Sequence, residues 1–266
     1  LKILICLNKD SMSLYALNLL LPYLLENGHR LEIFISHGVG DPKKAIADLK
    51  EFEVKLFDEH FPFLNAAGSP KENCFYTFEQ IAESLGVKIS SPKNINNPDT
   101  IEYITQSDFN LAISIRFGHI FKDNVISAFN KQKGILNLHS GPLPDYKGIL
   151  ATFQALRQGD TDKIGSTLHY ITDKDIDVGP VISISKILFD QEKSLVGHVM
   201  DIYDAAIPMI IDAVSKLAKG EKPEASPQQQ GGEYFSMPTH EQIEEFRLRG
   251  LEFYNNEDLN RIKSKF

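Results

Sequence analysis

At 266 residues, the chain is long enough for one large domain, or for one domain with a smaller appendage. Its 42% apolar and 24% charged content is that of an ordinary soluble globular protein, and no run approaches the roughly 18 apolar residues a membrane helix needs. The net charge of −8 argues against nucleic acid as a partner, because a broad footprint of that kind calls for a basic surface.

Residues 1–7 read as a first strand, and Cys6 within its apolar run is expected to be a buried core thiol. With Cys74 the only other cysteine, no disulfide framework is expected. The N-terminus enters this strand without the basic, apolar and cleavage-site pattern of an export signal, so the expected location is cytoplasmic. Asp10 and Ser11 can cap a helix whose leucines at 14, 17, 20, 21 and 24 keep helical spacing up to Gly28. Residues 31–36 return as a strand. Asp41-Pro42 is expected to open a helix with Ala45, Ile46 and Leu49 on its apolar stripe. Thr77 to Gln80 is a capping-box pattern for a helix ending at Gly86, followed by a short strand over 87–90. A helix near 100–105 and a strand over 111–115 complete an alternation that predicts an α/β fold with an open, mainly parallel, doubly wound sheet.

Beyond the strand at 135–138, a helix is predicted over 149–158 and strands over 166–171 and 180–188. Residues 195–217 are strongly helical and apolar, with Gly197 and Pro208 expected to kink or divide them. Past Gly220 the composition turns to Pro, Gln and Gly, which reads as a surface connection. A helix capped at Thr239 and a polar tail follow. The expected organisation is a catalytic unit over 1–190 and a C-terminal helical segment, linker and small appendage over 191–266. The apolar 195–217 helix, with Tyr234, Phe235, Phe246 and Phe253, looks too apolar to stand exposed and predicts packing partly on the main domain and partly on a second subunit, as a homodimer.

The most informative tract runs from Gly134 to Gly148. Alternation along its strand places Asn137 and His139 on one face at the strand end, where a Pro- and Gly-rich turn exposes them. A carboxamide can donate to a developing oxyanion, and an imidazole can move a proton near neutral pH. On chemistry alone the pair could equally tie down a turn. Scattered histidines and two distant cysteines give no zinc set, so no metal is expected, and no Gly-x-Gly-x-x-Gly follows the first strand to hold a dinucleotide.

Asn137-Leu-His139, the Leu143-to-Gly148 turn and Asp177-Val-Gly179 together resemble, in order and spacing, the motifs of the formyltransferase family that uses 10-formyltetrahydrofolate. The resemblance implies attack of a primary amine on the formyl carbon of this donor, with Asn137, His139 and Asp177 as the catalytic set. Asn137 and protonated His139 would face the oxyanion, His139 would take up the amine proton directly or through water, and Asp177 would hold the imidazole. One departure shows: the loop from His169 to Asp177 is one residue longer than the commonest family pattern, which bears on the fit of the folate. Relatives line the pterin slot at the position of Arg116, Phe117, Gly118 and Ile120, and these residues with Asp175 are the candidate cofactor contacts. His169 itself reads as a structural histidine within a strand.

Three acceptors are known among the families resembled. Glycinamide ribonucleotide enzymes carry a Gly- and Ser-rich first loop that grips a phosphate, whereas here that loop is 8–13, without glycine. Methionyl-tRNA enzymes carry a basic C-terminal barrel, for which the residues after Gly220 are too few. The remaining branch formylates nucleotide-linked amino sugars, and its small-molecule acceptor is the expected partner. Asn8, Lys9 and Asp10 of the first loop, and Lys147 of the turn, are candidate contacts on the acceptor side, although Asp10 serves as well as a helix cap. A non-catalytic relative binding folate or a nucleotide sugar is the reading from another class.

Overall fold

The computed structural model describes residues 1–38, 46–68, 70–130 and 132–266. Its frame is a seven-stranded sheet in the order β3-β2-β1-β4-β5-β7-β8. The strands are β1 (Lys2–Asn8), β2 (Arg30–Ser36), β3 (Lys88–Ser90), β4 (Leu111–Ile115), β5 (Ile135–His139), β7 (Gly165–Tyr170) and β8 (Val181–Lys186). The first five are parallel, and β7 and β8 run antiparallel at one edge. The chain moves outward from β1 to β2 and β3, then returns to β4 on the other side of β1. This reversal leaves a crevice at the carboxyl ends of β1 and β4, where open α/β sheets hold ligands.

Strand alternation divides the core in two. Ile3, Ile5 and Leu7 of β1 face a large cluster that also holds helices α1 (Ser11–Glu26) and α8 (Leu195–Ala218). Leu4 and Cys6 face the opposite layer, where α5 (Pro98–Gln106) and α6 (Asp123–Asn130) contribute Ile104, Val125 and Ile126. Cys6 is fully buried, and burial raises its thiol pKa far above the ordinary range. The caps expected from sequence are present: Asp10 accepts from Ser13 N at the start of α1, and Thr77 and Gln80 form a reciprocal box at α4 (Phe78–Leu85), which Gly86 ends at φ +63.

Several elements differ from expectation, each for a local reason. Asp41, Pro42 and Ala45 lie outside the described residues; the helix on this stretch is described as α2 (Ala47–Phe57). The short helices α3 (Phe61–Ala66) and α6 have too few apolar repeats to announce themselves. Gly197 and Pro208 do not divide α8, whose buried face from Leu195 to Leu217 holds both halves against the core. The polar tail folds as α10 (Asn256–Lys263), with a capping box between Asn255 and Asp258 and only Leu259 and Ile262 as apolar anchors.

Residues after Gly220 are more than a surface connection. Ser226 and Val181 exchange both backbone hydrogen bonds at 2.8 Å. Strand β9 (Glu233–Phe235) then pairs in parallel with β6 (Tyr146–Gly148) inside the motif turn. Helix α7 (Ala151–Gln158) packs against β6, and helix α9 (His240–Leu248) packs against α7. Phe235, Phe246 and Phe253 are buried within their own chain, leaving Tyr234 exposed, and α8 packs on α1, β7 and β8. The buried face of that helix is thus covered within its own chain. Among the described residues, no helix is long and apolar enough to cross a membrane, and no three His, Cys, Asp or Glu side chains form a group able to hold a metal ion.

Candidate active site

Asn137 and His139 lie at the carboxyl end of β5, on the face expected from alternation. Antiparallel pairing with β7 sets Asn137 opposite His169 and His139 opposite Thr167. Thr167 fastens the turn that follows: its hydroxyl donates to the Gly141 carbonyl at 2.8 Å and accepts from Leu143 N at 2.9 Å. Thr152 Oγ1 adds a hydrogen bond to the Ser140 carbonyl at 3.0 Å. The turn is thus held by buried hydroxyls rather than by packing alone.

Asp177 arrives from the loop between β7 and β8 and completes the cluster. Its Oδ2 accepts from Gly148 N at 2.8 Å and stands 3.4 Å from His139 Nδ1. Its Oδ1 accepts from Asn137 Nδ2 at 3.4 Å and lies 3.5 Å from His169 Nε2. Burial opposes ionisation of this carboxyl. The His139 and His169 rings and the Gly148 N–H more than offset that penalty and hold its pKa down at about 2. The close approach of Gly148 requires glycine. Its φ is +90, and an added Cβ would collide with the Phe235 carbonyl.

The two donor side chains are engaged with the protein itself. His139, 7% exposed, donates from Nε2 to the Tyr146 carbonyl at 2.6 Å while Nδ1 faces Asp177. An imidazolium can donate to both partners, a neutral ring to one. Asn137 Nδ2 lies 3.0 Å from His169 Nε2, and His169 Nδ1 is 3.0 Å from the Tyr170 carbonyl, so in the neutral ring Nδ1 donates and Nε2 accepts from Asn137.

This arrangement can do acyl-type chemistry, with amide and imidazole donors beside a carboxylate held ionised by its neighbours. A family model described as formyl transferase matches residues 66–212, more than half of the chain. The chain belongs to the formyl transferase family. A methionyl-tRNA formyltransferase of Finegoldia magna is 26% identical over 136 residues, covering 51% of this chain and 41% of that protein. The match thus spans about two fifths of the curated relative's length. Solved structures resemble the fold at lower identity. An N-formyltransferase of Helicobacter canadensis superposes with a TM-score of 0.60 at 16% identity, over 89% of this chain and 71% of that one. A phosphoribosylglycinamide formyltransferase of Anaplasma phagocytophilum gives 0.57 at 17%, over 88% and 98%. These likenesses carry the fold and leave the acceptor open.

The remaining candidates divide between the site and its surroundings. Arg116, at φ +57 after β4, turns its guanidinium to Asp10, with Nε 3.1 Å from both carboxylate oxygens. The side chain named for the pterin slot is therefore committed to the first loop. Asn8 donates to Asp10 at 2.7 Å and accepts from Gly38 N at 2.8 Å. Asp10 also caps α1, so Asn8 and Asp10 build the loop from within, while Lys9 is exposed. Gly118 N donates to Ser36 Oγ at 2.8 Å, Phe117 packs against His119 and Phe121, and Ile120 is exposed. Asp175 is exposed on the distal loop. Lys147 donates to the Gly231 carbonyl at 2.9 Å and shares a register position with exposed Tyr234. Arg116, Ser140 and Thr152 also line a small, mostly apolar cavity of about 30 Å³, walled by Met12, Leu150 and Leu195, between the first loop and the motif turn.

Sequence reasoning missed two participants. His169 does tie a strand together, and by doing so it also orients the Asn137 amide; only the pairing register reveals this. Glu53 of α2 accepts from Ser11 N at 2.8 Å and Ser11 Oγ at 2.7 Å, at the N-terminus of α1. Burial, and after it the Asp10 carboxylate, push the Glu53 pKa up to about 8. A raised carboxyl stabilises the fold fully below its unfolded value and loses that contribution as pH rises through the folded value. Burial lowers the titration of His29, His60, His119 and His198, which acts in the opposite sense, so parent and variant must be compared. Relative to Glu53→Gln, the parent is expected to lose stability between about pH 5 and about pH 8 in urea unfolding. Parallel stability curves for the two proteins would contradict this.

Proposed function

We propose that this formyl transferase moves the formyl group of 10-formyltetrahydrofolate to the primary amine of a nucleotide-linked amino sugar, as a metal-free enzyme. The convergence of Asn137, His139 and Asp177 at one strand end carries the reaction type. The amine nitrogen forms a bond to the formyl carbon, and the carbonyl oxygen becomes an oxyanion that Asn137 and His139 are placed to receive. The bond to N10 of the donor then breaks, and the proton lost by the amine passes by way of His139 or water to the departing tetrahydrofolate. Asp177 keeps the ring oriented throughout. Folate contacts are assigned to Arg116, Phe117, Gly118, Ile120 and Asp175, with Arg116 contributing through its main chain. Lys9 and Lys147 are assigned to the acceptor, and Asn8 and Asp10 to shaping the loop beneath it.

The first loop supports the choice of acceptor. Where ribonucleotide-binding relatives use glycines to grip a phosphate, here the Ser11 and Ser13 N–H groups are occupied by Glu53 and Asp10. A helix N-terminus whose N–H groups are already taken by two carboxyl groups is a poor seat for a phosphate. The Helicobacter canadensis protein is described in complex with folinic acid and dTDP-3-aminofucose, a precedent for such an acceptor on this fold. The second reading is a methionyl-tRNA enzyme, favoured by the Finegoldia magna relative. A folate or nucleotide-sugar binder without turnover is the third.

A competition assay decides among them. The protein is incubated with 10-formyltetrahydrofolate and nucleotide-linked 3- and 4-amino sugars, glycinamide ribonucleotide and methionyl initiator tRNA. Release of tetrahydrofolate is expected with an amino sugar alone. Formylation of only the tRNA establishes the second reading, and no release with any amine establishes the third.

A further inference from the structure

We infer that Gln228 is a positioning residue for the reaction: its side-chain amide, donating to the carbonyls of both Asp177 and Gly179, fixes the turn that aims the Asp177 carboxylate at His139. The inference rests on the catalytic reading of Asp177 and assigns a role to the segment after Gly220, which otherwise reads as a connector.

The turn is one that needs holding. Asp177 sits at φ +57, a left-handed conformation that residues with a side chain adopt rarely, although aspartate tolerates it better than most. In this conformation its carboxylate reaches His139 Nδ1 at 3.4 Å and Gly148 N at 2.8 Å. Gln228 Nε2 donates to the Asp177 carbonyl at 2.9 Å and to the Gly179 carbonyl at 2.8 Å. Two carbonyl partners settle which end of the amide is the nitrogen, since only an NH2 group can serve both. Among the described residues, Gln228 Oε1 is buried without a hydrogen-bond partner, so there the amide is engaged as a double donor.

The surrounding strap delivers that amide and also holds the other partner of Asp177. The paired hydrogen bonds between Ser226 and Val181 place Gln228 two residues beyond a fixed point, directly over the loop. A few residues later, Glu233 N donates to the Asp145 carbonyl at 3.0 Å, and β9 pairs along Tyr146 to Gly148. The strap therefore grips the loop that carries Asp177 and the turn that supplies Gly148 N. Gly232 makes the passage possible, because a Cβ there would collide with the Pro144 carbonyl. A mere strut would affect melting alone; a positioning residue must also alter how the Asp177 carboxylate is received.

Gln228→Met keeps the length of the side chain and removes both donors. Compared with the parent, kcat is expected to fall roughly tenfold, with KM for donor and acceptor within about twofold. The Asp177 carboxyl, followed by carbon-13 NMR on the full chain, is expected to titrate at higher pH as its contacts with His139 and Gly148 loosen. Gln228→Lys, which keeps donors at this position, is expected to recover most of the rate, so a loss caused by misfolding alone is recognisable. An unmoved Asp177 titration in Gln228→Met overturns the inference, whether or not the rate falls. If the parent transfers no formyl group to any amine, the proposed activity fails while the titration still decides the role of Gln228.

Discussion

His139→Ala is expected to lower formyl transfer by about 10²-fold or more, because it removes the one side chain able both to move the amine proton and to stabilise the oxyanion. Asn137→Ala is expected to cost a similar factor through loss of the amide donor. Both losses belong to kcat, since neither group has a role in holding the ground-state ligands beyond the formyl group itself. The variants should remain folded. His139→Ala gives up a hydrogen bond to the Tyr146 carbonyl, on the order of 1 kcal/mol, and one partner of the buried Asp177 carboxylate, which keeps the Gly148 N–H and His169 in a turn that Thr167 and Thr152 still fasten. Steady-state kinetics alongside circular dichroism checks the separation. A His139→Ala enzyme turning over near the parent rate would end the assignment of this cluster as the active site.

The sheet and the meeting of Asn137 with His139 were legible in the sequence for the same reason: both are written in local patterns, whereas Asp177 was singled out only by its resemblance to a family motif. Apolar runs such as 111–115 mark fully buried parallel strands, and the caps at Asp10 and Thr77 mark helix starts without tertiary help. Asn137 and His139 stood out because alternation puts them together at a strand end. What was not legible depends on main-chain pairing between distant segments. Nothing in the composition of 221–238 announces that Ser226 bonds to Val181, or that Glu233 to Phe235 form a strand beside Tyr146 to Gly148, since any residue type can supply those N–H and C=O groups. His169 was similarly hidden, as its part in the site comes from lying across from Asn137. Arg116 was placed near the folate by its position after β4, and the choice of Asp10 as its partner lies beyond any single-strand pattern.

That ion pair carries the second large effect. Arg116→Leu is expected to destabilise the protein by about 3 kcal/mol, because it strands a buried carboxylate rather than deleting a surface contact. Asp10 is 6% exposed, and its charge is met by the Arg116 Nε, the Asn8 amide and the Ser13 N–H. The Glu53 carboxyl beside it gives no relief, since Asp10 is among the causes that push the Glu53 pKa up to about 8. Arg116 in turn gains from Asp10: burial alone would lower its pKa, and the carboxylate holds it above the ordinary range. Adding Asp10→Asn to Arg116→Leu should recover much of the loss, so the two changes should be strongly non-additive in urea unfolding. The same variants decide what Arg116 does in the reaction. If the guanidinium mainly contacts folate, Arg116→Leu will raise KM for the donor while the unfolding midpoint stays put, and the ion-pair account is wrong. If the pair instead builds the first loop, stability falls first, and the double variant restores the fold together with most of the donor affinity.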